Sequence, residues 1–422
     1  MIYCLAKQSE DQKQTIFEKF FRGTDFTNPQ LNFGIAKDMI AREISGYIRE
    51  ISNQFRVVSI LGPRQSGKTT LARELFPEHE YVNFEMRSTF DEASRDLDLF
   101  MCNHPPPLII DEVQRYPDIL GNIMVWVDEH PEMKAAYVLT GSNQPHLRGV
   151  LSQSLAGRVG IAYVLPFSFS EVRGIEHFDR SKTVYKGFMP ELFSSNIPPN
   201  SLYESYISTY LQRDVDSLIT VRDATRFSTF LRLLAARVGQ MLNYESMANE
   251  LGVSANTVKD WISVLEASFV VFRLQPYYRN FGKRFVKTPK IYFTEVGLAV
   301  HLLGFNTPEQ LERDPLFGSL FENMVVANIR KSRFNVGNVQ LGSAGMYFLR
   351  DNTGNEVDVV LEDSRRLDLI EIKSGMSFNA DYAKSIEKYA KIIGSDFNSG
   401  KVVYAGRPAG YHNIDFVNFA DL

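Results

Sequence analysis

Val57-Val-Ser-Ile-Leu-Gly-Pro-Arg-Gln-Ser-Gly-Lys-Thr-Thr-Leu-Ala-Arg-Glu-Leu75 opens on an apolar run and closes on apolar residues at helical spacing. The run Val57, Val58, Ile60, Leu61 predicts a buried strand, and Leu71, Ala72 and Leu75 predict one face of a helix. Between them Gly62 to Thr69 fits G-x-x-x-x-G-K-[ST]. A loop of this kind turns backbone N–H groups onto phosphate oxygens at a helix N-terminus, where the dipole favours negative charge. Gly62 and Gly67 let the backbone come close, Lys68 reaches β- and γ-phosphates, and the Thr69 hydroxyl is a magnesium ligand. The contact set is Gly62, Pro63, Arg64, Gln65, Ser66, Gly67, Lys68, Thr69 and Thr70.

Bulk properties bound the rest. The 422 residues call for several domains, and 44% hydrophobic with 23% charged residues is ordinary for a globular chain. A net charge of −4 gives no global attraction to nucleic acid or an anionic membrane, so any such binding needs a local patch. The two cysteines, Cys4 and Cys102, are far apart without metal-ligand spacing, a pattern that suits a reducing compartment. With no secretory leader pattern and no apolar run long enough to span a bilayer, the expectation is a cytoplasmic protein.

Outward from the loop, Ile40, Ile44, Ile48 and Ile51 predict an amphipathic helix feeding the first strand, while residues 1–35 form an extension without a readable pattern. Residues 80–85 alternate as a short strand and 91–100 read as a helix. Leu108-Ile-Ile-Asp-Glu112 is a buried strand ending in two acids: Asp111 for magnesium and Glu112 to polarise the attacking water. A further strand over 136–142 ends in Thr140, Ser142 and Asn143, candidate sensors of a γ-phosphate, and a fourth covers 161–165. Arg158 is either an arginine finger, in cis or from a neighbouring subunit, or a strand-capping surface residue.

These segments, with Leu139-Thr-Gly-Ser142, Ser154-Leu-Ala-Gly-Arg158, Pro166-Phe-Ser-Phe-Ser-Glu171, Lys287-Thr-Pro-Lys-Ile-Tyr-Phe293 and Gly318-Ser-Leu-Phe-Glu-Asn323, resemble bacterial and archaeal AAA-type ATPases with a C-terminal DUF4143 region. The resemblance covers about nine tenths of the chain and implies ATP and Mg2+ as nucleotide and metal. One departure is Glu295, where the family usually has Asp.

Residues 200–310 read as mainly helical, with stripes Tyr206, Tyr210, Leu211, Val215 and Phe227, Phe230, Leu231, Leu234. Residues 242–265 read as helix, Gly252 turn and a second helix capped by Ser254, a helix-turn-helix. A strand over 269–274 and the basic, aromatic stretch Arg273 to Lys290 suggest a winged helix, with Lys259, Arg279, Lys283, Arg284 and Lys287 as candidate DNA contacts. Glu322 on a helix, Asp358 on one strand and Glu371-x-Lys373 on the next resemble the PD-(D/E)xK nuclease core, in which carboxylates hold magnesium beside a lysine.

The expected fold is α/β: a parallel P-loop NTPase sheet with helices on both faces (36–200), a helical and winged-helix part (201–310) and a smaller α/β restriction-endonuclease-like part (311–422). The expected function is magnesium-dependent ATP hydrolysis coupled to action on DNA. The rivals are an ATP-regulated nuclease and a nucleotide-switched adaptor for a protein partner. The partners expected are nucleotide and DNA, with no membrane, and an intersubunit finger would require a homo-oligomer.

Overall fold

A computed structural model describes residues 40–142, 155–211, 224–277, 286–338 and 344–422. Asn143, Arg279, Lys283, Arg284 and the extension 1–35 lie outside the described residues.

The first layer follows from β1 (Val57–Leu61), whose five residues are all buried. It lies inside a five-stranded parallel sheet of order β2-β3-β4-β1-β5, with β2 Glu80–Asn83, β3 Leu108–Asp111, β4 Tyr137–Gly141 and β5 Val159–Tyr163. Successive side chains of a strand point to opposite faces. Val57 and Leu61 accordingly enter one core with Ile110, Leu139 and Ile123, while Val58 and Ile60 enter the other with Ile44, Ile48 and Leu71. Helices cover both faces: α1 (Ser45–Gln54) and α2 (Lys68–Leu75) on one side, α3 (Ile119–Glu129) on the other. This is why the inner strands β1, β3 and β4 are buried throughout rather than alternating. The expected helix over 91–100 is two helices, Arg87–Arg95 and Leu97–Asn103, because the Asp96 side chain accepts from the Leu99 N–H and caps a new start.

The middle of the chain is helical. α4 (Ala224–Ala235), α5 (Tyr244–Leu251) and α6 (Ala255–Ala267) form a helix-turn-helix unit in which Gly252 turns at φ +65° and Ser254 caps α6. Trp261 on α6 is 1% exposed and packs on Phe227 and Phe230, with ring centroids 5.4 and 5.1 Å away. After α6 come β6 (Val271–Pro276) and antiparallel β7 (Lys290–Phe293).

This ribbon is not a free wing. β6 pairs in parallel with β8 (Met346–Arg350), extending an eight-stranded mixed sheet, β12-β13-β11-β10-β9-β8-β6-β7, across the expected division at residue 310. The other strands are β9 (Glu356–Asp363), β10 (Arg366–Lys373), β11 (Phe397–Tyr404), β12 (Ala409–Tyr411) and β13 (Ile414–Asn418). α7 (Val296–Leu302) and the 19-residue α8 (Phe317–Asn335) follow β7, and α9 (Lys384–Ile393) packs on the far end of the sheet. Fourteen residues of α8 are buried, nine of them in one apolar core running from Leu165 to Phe419. Glu295, the departure from the family pattern, caps α7: its Oε1 accepts from the N–H groups of Phe188 (2.9 Å) and Gly297 (3.2 Å) and from Tyr203 Oη (3.2 Å).

No helix among the described residues is long and apolar enough to cross a membrane.

Candidate functional site

The loop between β1 and α2 is built by close approach. A Cβ on Gly62 would lie 2.0 Å from the Val164 carbonyl oxygen, so only glycine lets β1 hand the chain over there. Gln65 (φ +61°) and Gly67 (φ +89°) take left-handed conformations, and Gly67 ends the loop as the N-cap of α2. The Ser66 hydroxyl donates to the Pro63 carbonyl at 2.9 Å, and so does Lys68 Nζ at 2.8 Å, in a side chain 5% exposed.

Because β4 is inserted between β1 and β3, its polar end faces the ends of both. Thr69 Oγ1 lies 3.1 Å from each Asp111 carboxylate oxygen. Thr140 also donates to Asp111, and Tyr81 Oη does so at 2.7 Å. Burial and this hydrogen bond to a carboxylate push the Tyr81 hydroxyl well above its ordinary range, so it remains a donor. Glu112 sits at φ +56°, a left-handed conformation unusual outside glycine, and its carboxylate accepts from the Gln114 amide. The same Gln114 nitrogen lies 3.0 Å from Ser142 Oγ.

A cavity of about 730 Å³ opens over these groups, lined on one side by Arg64, Gln65, Gly67, Lys68, Thr69, Thr70 and Glu112 and on the other by Phe167, Phe193, Ile197 and Leu202. It is within the size range of small-molecule and cofactor sites. The donor set fits magnesium: a hydroxyl and a carboxylate, hard oxygens meeting at one point. Arg42, which no motif marks, braces the loop. Its guanidinium donates to the carbonyls of Ser66 (2.8 Å) and Leu165 (2.6 Å) and pairs with Glu171 at 2.8 Å.

Arg158 is placed elsewhere. Its carbonyl accepts from the Val57 N–H at the start of β1, whereas the loop leaves the end of that strand, about 16 Å away for five residues. Its guanidinium makes two 2.6 Å hydrogen bonds to the Asp128 carboxylate on α3. Arg158 is thus held in a surface ion pair at the end of the sheet opposite the loop.

The C-terminal residues Glu322, Asp358, Glu371 and Lys373 do converge, but around another residue. Lys290 Nζ, on a side chain 4% exposed, lies 3.0 Å from Glu322, 4.0 Å from Asp358 and in contact with Glu356. Glu322 also accepts from Tyr292 Oη at 2.6 Å, Asp358 accepts from the Ile372 N–H at 2.8 Å, and Lys373 Nζ lies 2.5 Å from Glu371. Burial, then the neighbouring Glu371 and Glu322, hold the Asp358 carboxyl far above the usual range. Burial also raises Glu371, against the pull of Lys373. Burial works to lower Lys290, and the oxygens around it outweigh that, so it stays charged. Among the described residues no three His, Cys, Asp or Glu side chains are grouped so as to hold a metal ion. The expected carboxylate magnesium site is not what the residues form.

Of the basic stretch, Lys290 is buried, while the exposed Arg273 pairs with Glu266 at 2.6 Å. Lys259 and Lys287 are exposed.

Residues 54–173 match the AAA domain family, residues 178–309 the domain of unknown function DUF8612, and residues 317–417 the domain of unknown function DUF4143. The chain is 31% identical over 336 residues to uncharacterized proteins of Mycobacterium tuberculosis and Mycobacterium bovis, covering 79% of this chain and 73% of each relative. To an uncharacterized protein of Methanocaldococcus jannaschii it is 23% identical over 344 residues, 68% of this chain and 70% of the relative. Among solved structures, the Walker-type ATPase of Pyrococcus abyssi aligns with 63% of this chain and 96% of its own at 15% identity, with a TM-score of 0.37.

Proposed function

This chain belongs to the same family as the two mycobacterial proteins, with an AAA domain and a DUF4143 region of its own, and on that premise we propose that it binds and hydrolyses ATP with magnesium at the 62–70 loop. The observation that carries the reading is the meeting of Asp111 at 3.1 Å with Thr69, which lines one cavity with Lys68 and Glu112. Magnesium bound there supplies charge neutralisation at the phosphates. Lys68 exchanges its Pro63 carbonyl for phosphate oxygens, the 65–69 backbone amides hold the triphosphate, and Glu112 takes up a hydrogen bond from the attacking water. Gln114 fixes the Glu112 carboxylate, and Arg42 keeps the loop from sagging when charge arrives.

Turnover and binding in two variants test this. Lys68→Ala is expected to lose nucleotide binding, while Glu112→Gln binds and turns over at least ~100-fold more slowly, the usual scale for a missing general base. Parent-like turnover in both would reject the site.

A second reading adds DNA as the partner. It draws support from the exposed N-terminal face of α6, where Asn256 and Lys259 stand clear of the buried Val258 and Trp261. Salt-dependent DNA binding weakened by Lys259→Glu supports it. Binding unchanged by that substitution and by Lys287→Glu points to a protein partner instead. The carboxylates that metal-dependent DNA cleavage would use lie around Lys290.

A further inference from the structure

We infer that Lys290 is the resident cation of the C-terminal acidic cluster, its ammonium giving Glu322, Glu356 and Asp358 the charge compensation that a divalent metal would otherwise supply, and that it keeps such a metal out.

Lys290 comes from β7, not from the strands that carry the acids, and its position is fixed on both sides. The Pro289 carbonyl accepts from the Leu242 N–H at 2.9 Å and the Ile291 carbonyl accepts from the Gly239 N–H at 2.8 Å, so the strand is clamped against the 239–242 segment. Gly239 takes φ +75°, and a Cβ there would come 3.4 Å from Glu322 Oε1, so the backbone passes close beside that carboxylate. The ammonium is also within cation–π range of the Phe348 ring, 5.6 Å from its centroid.

Charge counting explains why the arrangement is stable. Four acids, Glu322, Glu356, Asp358 and Glu371, meet three bases, Lys290, Lys373 and Arg350, the last 2.7 Å from Glu356. One further observation points to what the cluster would accept. Glu371, 7% exposed, keeps a buried oxygen, Oε2, with no hydrogen-bond donor. Taking Lys290 away removes the ammonium nearest Glu322 and Asp358 in a dry site, with only Lys373, 2.5 Å from Glu371 and 3.9 Å from Asp358, left beside the unpartnered Glu371 oxygen, a condition relieved by a hard cation with oxygen ligands. With Lys290 present a divalent ion would meet an ammonium at short range in low dielectric, where like charges repel strongly.

The test is Mn2+ binding by the full chain, followed by the paramagnetic resonance of free manganese, in an Asp111→Asn background that removes the nucleotide-site metal. With Lys290 intact, no manganese dependent on Asp358 is expected. Lys290→Met is expected to gain one bound manganese per chain, lost again when Asp358→Asn is added. A manganese ion bound with Lys290 intact and released by Asp358→Asn overturns the inference, as does a folded Lys290→Met chain that gains none. Should Lys290→Met not fold, Lys290→Gln takes its place with the same two outcomes, and Asp358-dependent binding with Lys290 intact contradicts the inference in either case.

Discussion

Gly62 shows how much one residue decides here. A methyl group at this position collides with the Val164 carbonyl at 2.0 Å, and backbone cannot step aside as a flexible side chain would. Gly62→Ala is expected to cost about 1–3 kcal/mol of stability and to push the loop out of register with Asp111. Denaturant unfolding measures the first, and a fluorescent-nucleotide titration the second, with loss of binding in a chain that remains folded. The glycines, Lys68, Thr69 and Asp111 are legible in the sequence because their spacing follows from the geometry of a phosphate. Arg42, Tyr81 and Gln114 are not. They serve the same site from ordinary positions whose roles arise only when strands distant in sequence come side by side.

Elements differ in how far local pattern predicts them. β1, β3 and the helix-turn-helix are written in periodicity and caps, so their reading needs no tertiary knowledge. The 290–293 stretch misleads, because a lysine among aromatic residues looks like a binding surface until its neighbour strands bring acids to it. The β8–β9 turn is held together by one buried carboxylate. Asp351 accepts from Thr353 N–H (3.0 Å) and Oγ1 (2.7 Å), from Asn355 N–H (3.0 Å) and from Lys388 Nζ on α9 (3.0 Å). Burial opposes ionisation, but these donors prevail and depress its pKa. A carboxyl whose folded pKa is depressed stabilises above its unfolded value and loses that contribution as the pH falls. Asp351→Asn is therefore expected to cost about 2 kcal/mol at pH 7, with the gap to the parent narrowing below about pH 4. Urea unfolding at the two pH values checks it, and a constant gap would contradict it.

Across the molecule, α8 joins the two sites. Glu322 near its start belongs to the acidic cluster. Further along, Asn328 Oδ1 accepts from the Phe169 N–H at 2.7 Å, Lys331 Nζ donates to the Phe167 carbonyl at 3.1 Å, and Asn335 reaches Glu43 at 3.1 Å. The 165–171 segment is in turn tied by Arg42 to the Ser66 carbonyl of the phosphate loop. No sequence pattern announces this chain of contacts, since it joins residues more than a hundred positions apart. Nucleotide is expected to slow amide hydrogen exchange in residues 328–335 as well as in 62–70, and protection confined to the loop would show that the contacts do not transmit.

The central claim is that the 62–70 loop holds a triphosphate. A crystal structure of the full chain with magnesium and a non-hydrolysable ATP analogue tests it most directly. The account predicts β- and γ-phosphates on the 65–69 amides, Lys68 Nζ moved from the Pro63 carbonyl onto phosphate oxygen, and the metal on Thr69 with Asp111 beside it. A nucleotide bound elsewhere, with Lys68 still on Pro63, would contradict it.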